Sequence, residues 1–328
     1  GDRIEGAVTV RGNGQYSLRL KDTDGFFAPE LQSFPIKAIP DQTPEVSLLE
    51  PQGDLEVVPD ARVRLSIQAK DDYGIAEVKV PYQVEGRTPA SLPAGHGGKT
   101  TRLLELENLW ELAYLKLKPG SVVRYRIEAS DYDNITGPHI GKTSDYQLRV
   151  IDRSEAERRL DEQRREILAQ LAEITKEQAA LRTEVEKQRQ SAQPNADALM
   201  AAEERQRSTA AAAADLSRRV ADLNRSAETN NLLPQSDLAA QREAQASLER
   251  LSREAMPQAA NKVGSAQAQA QSNPQSSKAQ LGEASRQQSD ILRELERIGQ
   301  QMRPGSELER LANRFDRLAG EQRKLQQE

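Results

Sequence analysis

Apolar and polar residues alternate with period two along three runs in the first half of the chain. Tyr16-x-Leu18-x-Leu20 stops at Asp22-Thr23-Asp24-Gly25, and Val63-x-Leu65-x-Ile67-x-Ala69 stops at Asp71-Asp72-Tyr73-Gly74. Val123-x-Tyr125-x-Ile127-x-Ala129 stops at Asp131-Tyr132-Asp133-Asn134. Strict alternation puts every second side chain on one face, so each run predicts a strand with one buried face; the Asp/Gly/Asn clusters predict turns. Further strands are predicted at 31–39, 45–49, 76–84, 101–106, 111–117 and 145–151. Short strands punctuated this often fit an Ig-like β-sandwich of about 100 residues.

Two of the runs echo one another. Tyr16-x-Leu18-x-Leu20-x-Asp22 lines up with Tyr125-x-Ile127-x-Ala129-x-Asp131, and each precedes a loop and a further strand. Residues 1–43 therefore read as the closing hairpin of a preceding Ig-like domain plus a linker, and 44–152 as a whole sandwich. The joint, Ile39-Pro40-Asp41-Gln42-Thr43-Pro44, is marked by two prolines and favours an extended, semi-rigid link. An open half-sandwich leaves strand edges exposed, so residues 1–40 are expected to be poorly supported alone.

Near Asp152 the period changes from two to three-and-four. Leu160, Ile167, Leu171, Ile174, Leu181 and Val185 form a heptad seam, with Arg164 and Gln178 in its two gaps. Ser154-x-x-Glu157 is a capping-box pattern at its start. A thinner, alanine-rich seam holds Leu216, Val220 and Leu223, and another holds Leu248, Leu251 and Met256. Leu281, Ala284, Gln288, Ile291, Leu295, Ile298 and Met302 keep the step, as do Leu308, Leu311, Phe315, Leu318 and Leu325 behind Ser306-x-x-Glu309. Prolines at 194, 234, 274 and 304 break the pattern, so 153–328 is predicted to be a coiled-coil or helical-hairpin region of about five helices. Residues 257–280 are poor in large apolar side chains and are expected to be flexible. Thin seams bury little area, so protein partners or a second copy are expected along the helices.

Composition narrows the function. Only 36% of the 328 residues are hydrophobic and 4% aromatic, too little for one large core, while 30% are charged with both signs mixed. The net charge of -5 lies in the first 152 residues; from Arg153 onward acidic and basic residues balance. Neither half attracts nucleic acid or an anionic membrane surface in general. The chain lacks cysteine, and its two histidines, His96 and His139, lie in Gly/Pro-rich sequence. That leaves little for a zinc site or a histidine base. Phosphate-loop and nucleophile-elbow patterns are missing too, so neither an enzyme nor a small-molecule site is expected. The chain starts without Met and holds no apolar run of membrane-span length, and is expected to be a piece of a longer protein.

Calcium is the one candidate for chemistry. Asp22, Asp24, Asp71, Asp72, Asp131 and Asp133 make oxygen-rich turns, with Asp41 in the linker, and calcium takes six to eight oxygen ligands. The simpler reading is that aspartates favour turns because their side chains bond nearby backbone N–H groups. Asn134-Ile135-Thr136 is a glycosylation acceptor only in a source that glycosylates secreted proteins.

The stretches QAKDDYGIAEVKVPYQVEG (68–86), LKPGSVVRYRIEASDYDNITGP (117–138) and SDYQLRVIDRSEAERRL (144–160) carry a family resemblance. The chain resembles large bacterial membrane-anchored proteins grouped as domain of unknown function 4175, with similar proteins in planctomycetes and myxobacteria. The resemblance covers roughly residues 10–190. It implies extracytoplasmic Ig-like domains, followed by Gln/Glu/Arg-rich helices and preceded by membrane spans that this chain does not contain. It also implies a cell-envelope location, and it transfers no catalytic residues. The leading expectation is thus a non-enzymatic envelope protein with an Ig-like stalk and an assembling helical segment. The alternative is a calcium-dependent adhesion module.

Overall fold

The alternating run that begins at Val63 forms the strand predicted for it. In the computed structural model, which describes residues 5–27, 32–135 and 137–303, Val63, Leu65, Ile67 and Ala69 are all buried while their neighbours face outward. The chain combines antiparallel sheets with α-helices and divides into two units. The first comprises Gly1–Glu56, Val63–Trp110 and Gly120–Val150; the second comprises Val57–Arg62, Glu111–Pro119 and Ile151–Glu328.

The sheet unit starts with a hairpin of β1 (Gly14–Leu18) and β2 (Gln32–Ile36), in which Tyr16 stacks on Phe34. A three-stranded sheet follows the order β3 (Glu45–Glu50), β5 (Arg62–Lys70), β8 (Leu103–Glu111). A seven-stranded sheet runs β11 (Ile140–Lys142), β10 (Glu128–Asp131), β6 (Ile75–Val84), β9 (Val122–Tyr125), β12 (Tyr146–Val150), β4 (Leu55–Val57), and β7 (Ala90–His96) also pairs with β6. Trp110 of β8 packs edge-on against Tyr125 of β9 and tilted against Tyr82 of β6, so the two sheets meet across a buried aromatic cluster.

Several strand expectations need correction. The run from Tyr16 ends its strand at Leu18 and is exposed along its whole length instead of burying one face, and the strand expected at 101–106 runs from Leu103 to Glu111. The run 123–129 keeps its predicted inward set, but its ladder breaks into β9 and β10. Arg126 donates to the carbonyl of Pro81, and Pro81 has no N–H to return the bond. The predicted strand at 111–117 is instead a single 3-10 turn, Leu112–Leu115, closed by Lys116 in the left-handed conformation. Its sequence lacks the alternation that marks the true strands. Strands β4, β7 and β11 carry little or no alternation and were not predicted. The expected strand at 31–39 is shorter, and its first residue lies outside the described residues.

In the helical unit the described helices are α1 (Arg153–Gln190), α2 (Ala196–Thr229), α3 (Gln235–Arg250), α4 (Met256–Gln269) and α5 (Pro274–Gln301). Among the described residues the breaks fall at Pro194, Pro234 and Pro274; Pro304 lies outside them. The cap of α1 does not follow the expected capping box: Asp152 accepts from both the backbone N–H and the hydroxyl of Ser154. Residues 257–280, expected to be flexible, are largely helical. Alanines 259, 260, 266 and 270 are buried because small side chains let helix backbones approach closely. A π turn at Leu251–Ala255 links α3 to α4 just before Pro257, whose ring and missing N–H disturb regular α-helical bonding.

Contacts run α1–α2, α2–α4, α4–α5 and α5–α1, closing a ring of four helices. Leu181, Val185, Leu199, Ala202, Val263, Ala266, Leu281 and Ala284 share one core inside it. Leu216, Val220 and Leu223 of the alanine-rich seam are also buried within the chain. The fifth expected helix, at 306–325, lies outside the described residues, as does Thr136 of the glycosylation pattern.

Candidate functional site

The three aspartates that end the alternating runs do the same local work. Asp22 Oδ1 accepts from the N–H groups of Asp24 and Phe26. Asp71 Oδ2 accepts from Tyr73 and Gly74 at 3.0 and 2.7 Å. Asp131 Oδ1 accepts from Asp133 and His139, both at 3.0 Å. In each, the aspartate bonds the N–H two residues on, which turns the chain out of its strand.

Two of these turns then converge. Asp71 donates its backbone N–H to Arg102, and Ile75 to Thr101, so the 71–75 turn lies along the 97–102 loop. Gly74 has φ +125°, and a Cβ there would sit 2.6 Å from the Lys99 carbonyl, so only glycine fits. Asp131 pairs with Ile75 across a register shift between Ser130 and Asp131. Such irregularities re-aim side chains at strand ends. The linker joins them: Gly141 has no Cβ, and one placed there would come within 1.8 Å of the Pro44 carbonyl. That close approach brings Asp41 against both turns.

The result is a cluster of Asp41, Asp71, Asp72, Asp131, Asp133 and His139. One carboxylate oxygen each from Asp41, Asp71 and Asp72 lies within 4.8 Å of the other two, and so do ligand atoms of Asp41, Asp133 and His139. His139 Nδ1 is 3.0 Å from Asp131 Oδ2, 3.5 Å from Asp41 Oδ2 and 3.9 Å from Asp133 Oδ2. An ionised carboxylate only accepts, so Nδ1 carries the proton in the bond to Asp131. That hydrogen bond outweighs desolvation and, with the charges of Asp131, Asp41 and Asp133, raises the pKa of His139. Burial, then the charges of Asp131, Asp72 and Asp71, raise that of Asp41 against the bond from Gln42 N–H. Two carboxylates at such separations repel by on the order of 3 kcal/mol at an effective dielectric of 20.

Glu128 is the contrasting case in the same unit. Burial pushes its carboxyl upward, but Arg126 at 2.8 Å, with Lys79 and Lys142, more than offsets this and leaves it below its usual value. Among the described residues, no lysine or arginine pairs with Asp41, Asp71, Asp72 or Asp131.

Of the six predicted ligands, the structure gathers Asp71, Asp72, Asp131 and Asp133 and adds Asp41 from the linker; Asp22 and Asp24 are not part of the cluster. His139, set aside on its Gly/Pro-rich surroundings, joins the cluster. Its only signal was a position eight residues beyond Asp131 across a Gly-Pro loop, where the chain returns. No protein-family model matches the chain, and no curated protein matches it. Among the described residues no helix is long and apolar enough to cross a membrane.

Proposed function

We propose that the chain is a non-enzymatic structural and interaction part of a bacterial cell-envelope protein. Ig-like sandwiches serve as a stalk, and a coiled helical segment serves assembly or partner binding. One observation carries this reading. The β1–β2 hairpin repeats the strand-to-aspartate turn of the main sheet, yet Tyr16, Leu18, Leu20, Phe26 and Phe27 are exposed on it. Exposed large apolar side chains on a two-stranded ribbon are what a neighbouring domain in a tandem array would cover. The envelope location and membrane attachment enter through the family resemblance alone. Sedimentation velocity tests the reading: a stalk with an assembling helical segment gives a self-associated or strongly elongated particle. A compact monomer contradicts it.

A second reading, a calcium-dependent adhesion module, is favoured by the convergence of Asp41, Asp71, Asp72, Asp131 and Asp133. It stands only if the cluster binds a cation.

A further inference from the structure

We infer that Asp41, Asp71 and Asp72 form a binding site for a hard divalent cation of the calcium type, which clamps the 39–44 linker onto the sheet unit. Acidic turns alone do not make such a site, and Asp22 shows how one satisfies itself: its carboxylate is exposed and bonds its own loop. Asp71 differs. Its residue is only 7% exposed, and Oδ2 is occupied by the N–H groups of Tyr73 and Gly74. Its Oδ1 is buried without a hydrogen-bond partner, as is Oδ1 of Asp72. Buried charged oxygens in folded proteins are almost always paired, so two unpaired ones on carboxylates that each bring an oxygen within 4.8 Å of Asp41 point to a missing positive charge.

The donor set selects the ion. Three carboxylates converge, and oxygen-only donors suit calcium or magnesium rather than zinc. Calcium tolerates irregular coordination and completes its shell with water and backbone carbonyls, which suits ligands drawn from a linker and a turn. The imidazole of His139 belongs to the second group, where it hydrogen-bonds Asp131 and approaches Asp41 and Asp133. Asp41 is common to both groups, so a cation held by Asp71 and Asp72 would also fix the linker. The inference is independent of the stalk reading and is the premise of the adhesion reading.

Isothermal titration of calcium chloride into the whole chain tests it. The expected result is saturable binding with a dissociation constant on the order of 10⁻⁴ M, as in extracellular modules. It should come with a higher melting temperature in calcium than in EDTA. Because Asp71 also holds its turn, the decisive variants are Asp72→Asn and Asp41→Asn, each weakening binding at least about tenfold while far-UV circular dichroism is unchanged. Three results would overturn the inference. One is no binding and no melting shift with calcium up to about 10 mM, well above weak extracellular sites. Another is calcium affinity unaltered in both variants. The third is binding of zinc but not calcium that is lost in His139→Gln, which would move the ion to the Asp41, Asp133 and His139 group. Bead aggregation, run separately, decides the adhesion reading: cation binding without aggregation leaves the site in place and removes adhesion.

Discussion

In the helical unit, Gln178, Gln206 and Gln288 lie fully buried where α1, α2 and α5 meet, and they bond one another. Gln178 and Gln206 exchange amide hydrogen bonds at 3.1 and 2.7 Å, and Gln288 donates to Gln206 at 2.9 Å. Among the described residues of the sheet unit the buried polar ones are Asp71, Glu128 and Asp131, all carboxylates. The amides are neutral and supply both donors and acceptors, so a small group of them bonds largely within itself, with Gln288 Oε1 the acceptor left over. Ionised carboxylates only accept, and they repel. Glu128 finds three cations within the chain; the Asp41 cluster finds one imidazole. The amide layer is neutral as it stands, even with Gln288 Oε1 left without a hydrogen-bond partner, whereas the acidic end of the sheet unit gathers several carboxylates around one imidazole.

The largest expected effect falls on the backbone that builds the acidic end. Gly74→Ala forces a side chain onto φ +125° and against the Lys99 carbonyl. It should destabilise the sheet unit by about 3 kcal/mol, seen as an earlier near-ultraviolet transition, with the helical signal melting unchanged. Next is the amide layer. Gln206→Ala leaves the amides of Gln178 and Gln288 unpaired and should cost about 1–3 kcal/mol. Replacing all three with leucine should be close to neutral or stabilising, because no buried polar group is then left over. A triple variant as unstable as the single one would show that the loss does not come from unpaired amides.

The smallest effect is a pH dependence. Glu186 bonds Arg189 first, then Gln190, and reaches Ser285 of α5, which lowers its pKa from 4.5 to about 2. A carboxyl depressed in the folded state stabilises fully above its unfolded value. It should lose that stabilisation as the pH falls from about 4.5 to about 2. Glu186→Gln should flatten the acid limb of the helical transition slightly, and salt should shrink the difference because the group is partly exposed.

Much of this was legible in the sequence. Alternation at 63–69 and the seam from Leu160 to Val185 gave elements and inward faces together, since burial imposes both periods. Even Arg164 and Gln178, the polar residues in that seam, are buried where the spacing puts them. The strand break at Arg126 was not legible, because its cause, Pro81, lies on the neighbouring strand. Helix α4 was missed because alanine packing depends on the partner helix rather than on local hydrophobicity. The candidate site was half legible. Turn aspartates announce themselves by composition. Their convergence depends on Gly141 and Pro44, which carry no charge, and His139 joins through a loop closure that has no sequence period.

Hydrogen exchange by mass spectrometry, with calcium and with EDTA, tests the contrast between the two units most directly. Calcium should slow exchange at the amides that the acidic end holds, those of Gln42, Tyr73, Gly74, Asp133 and His139, and leave α1, α2, α4 and α5 unchanged. Equal protection of both units, or none in either, would contradict a sheet unit that depends on a cation and a helical unit whose buried amides do not.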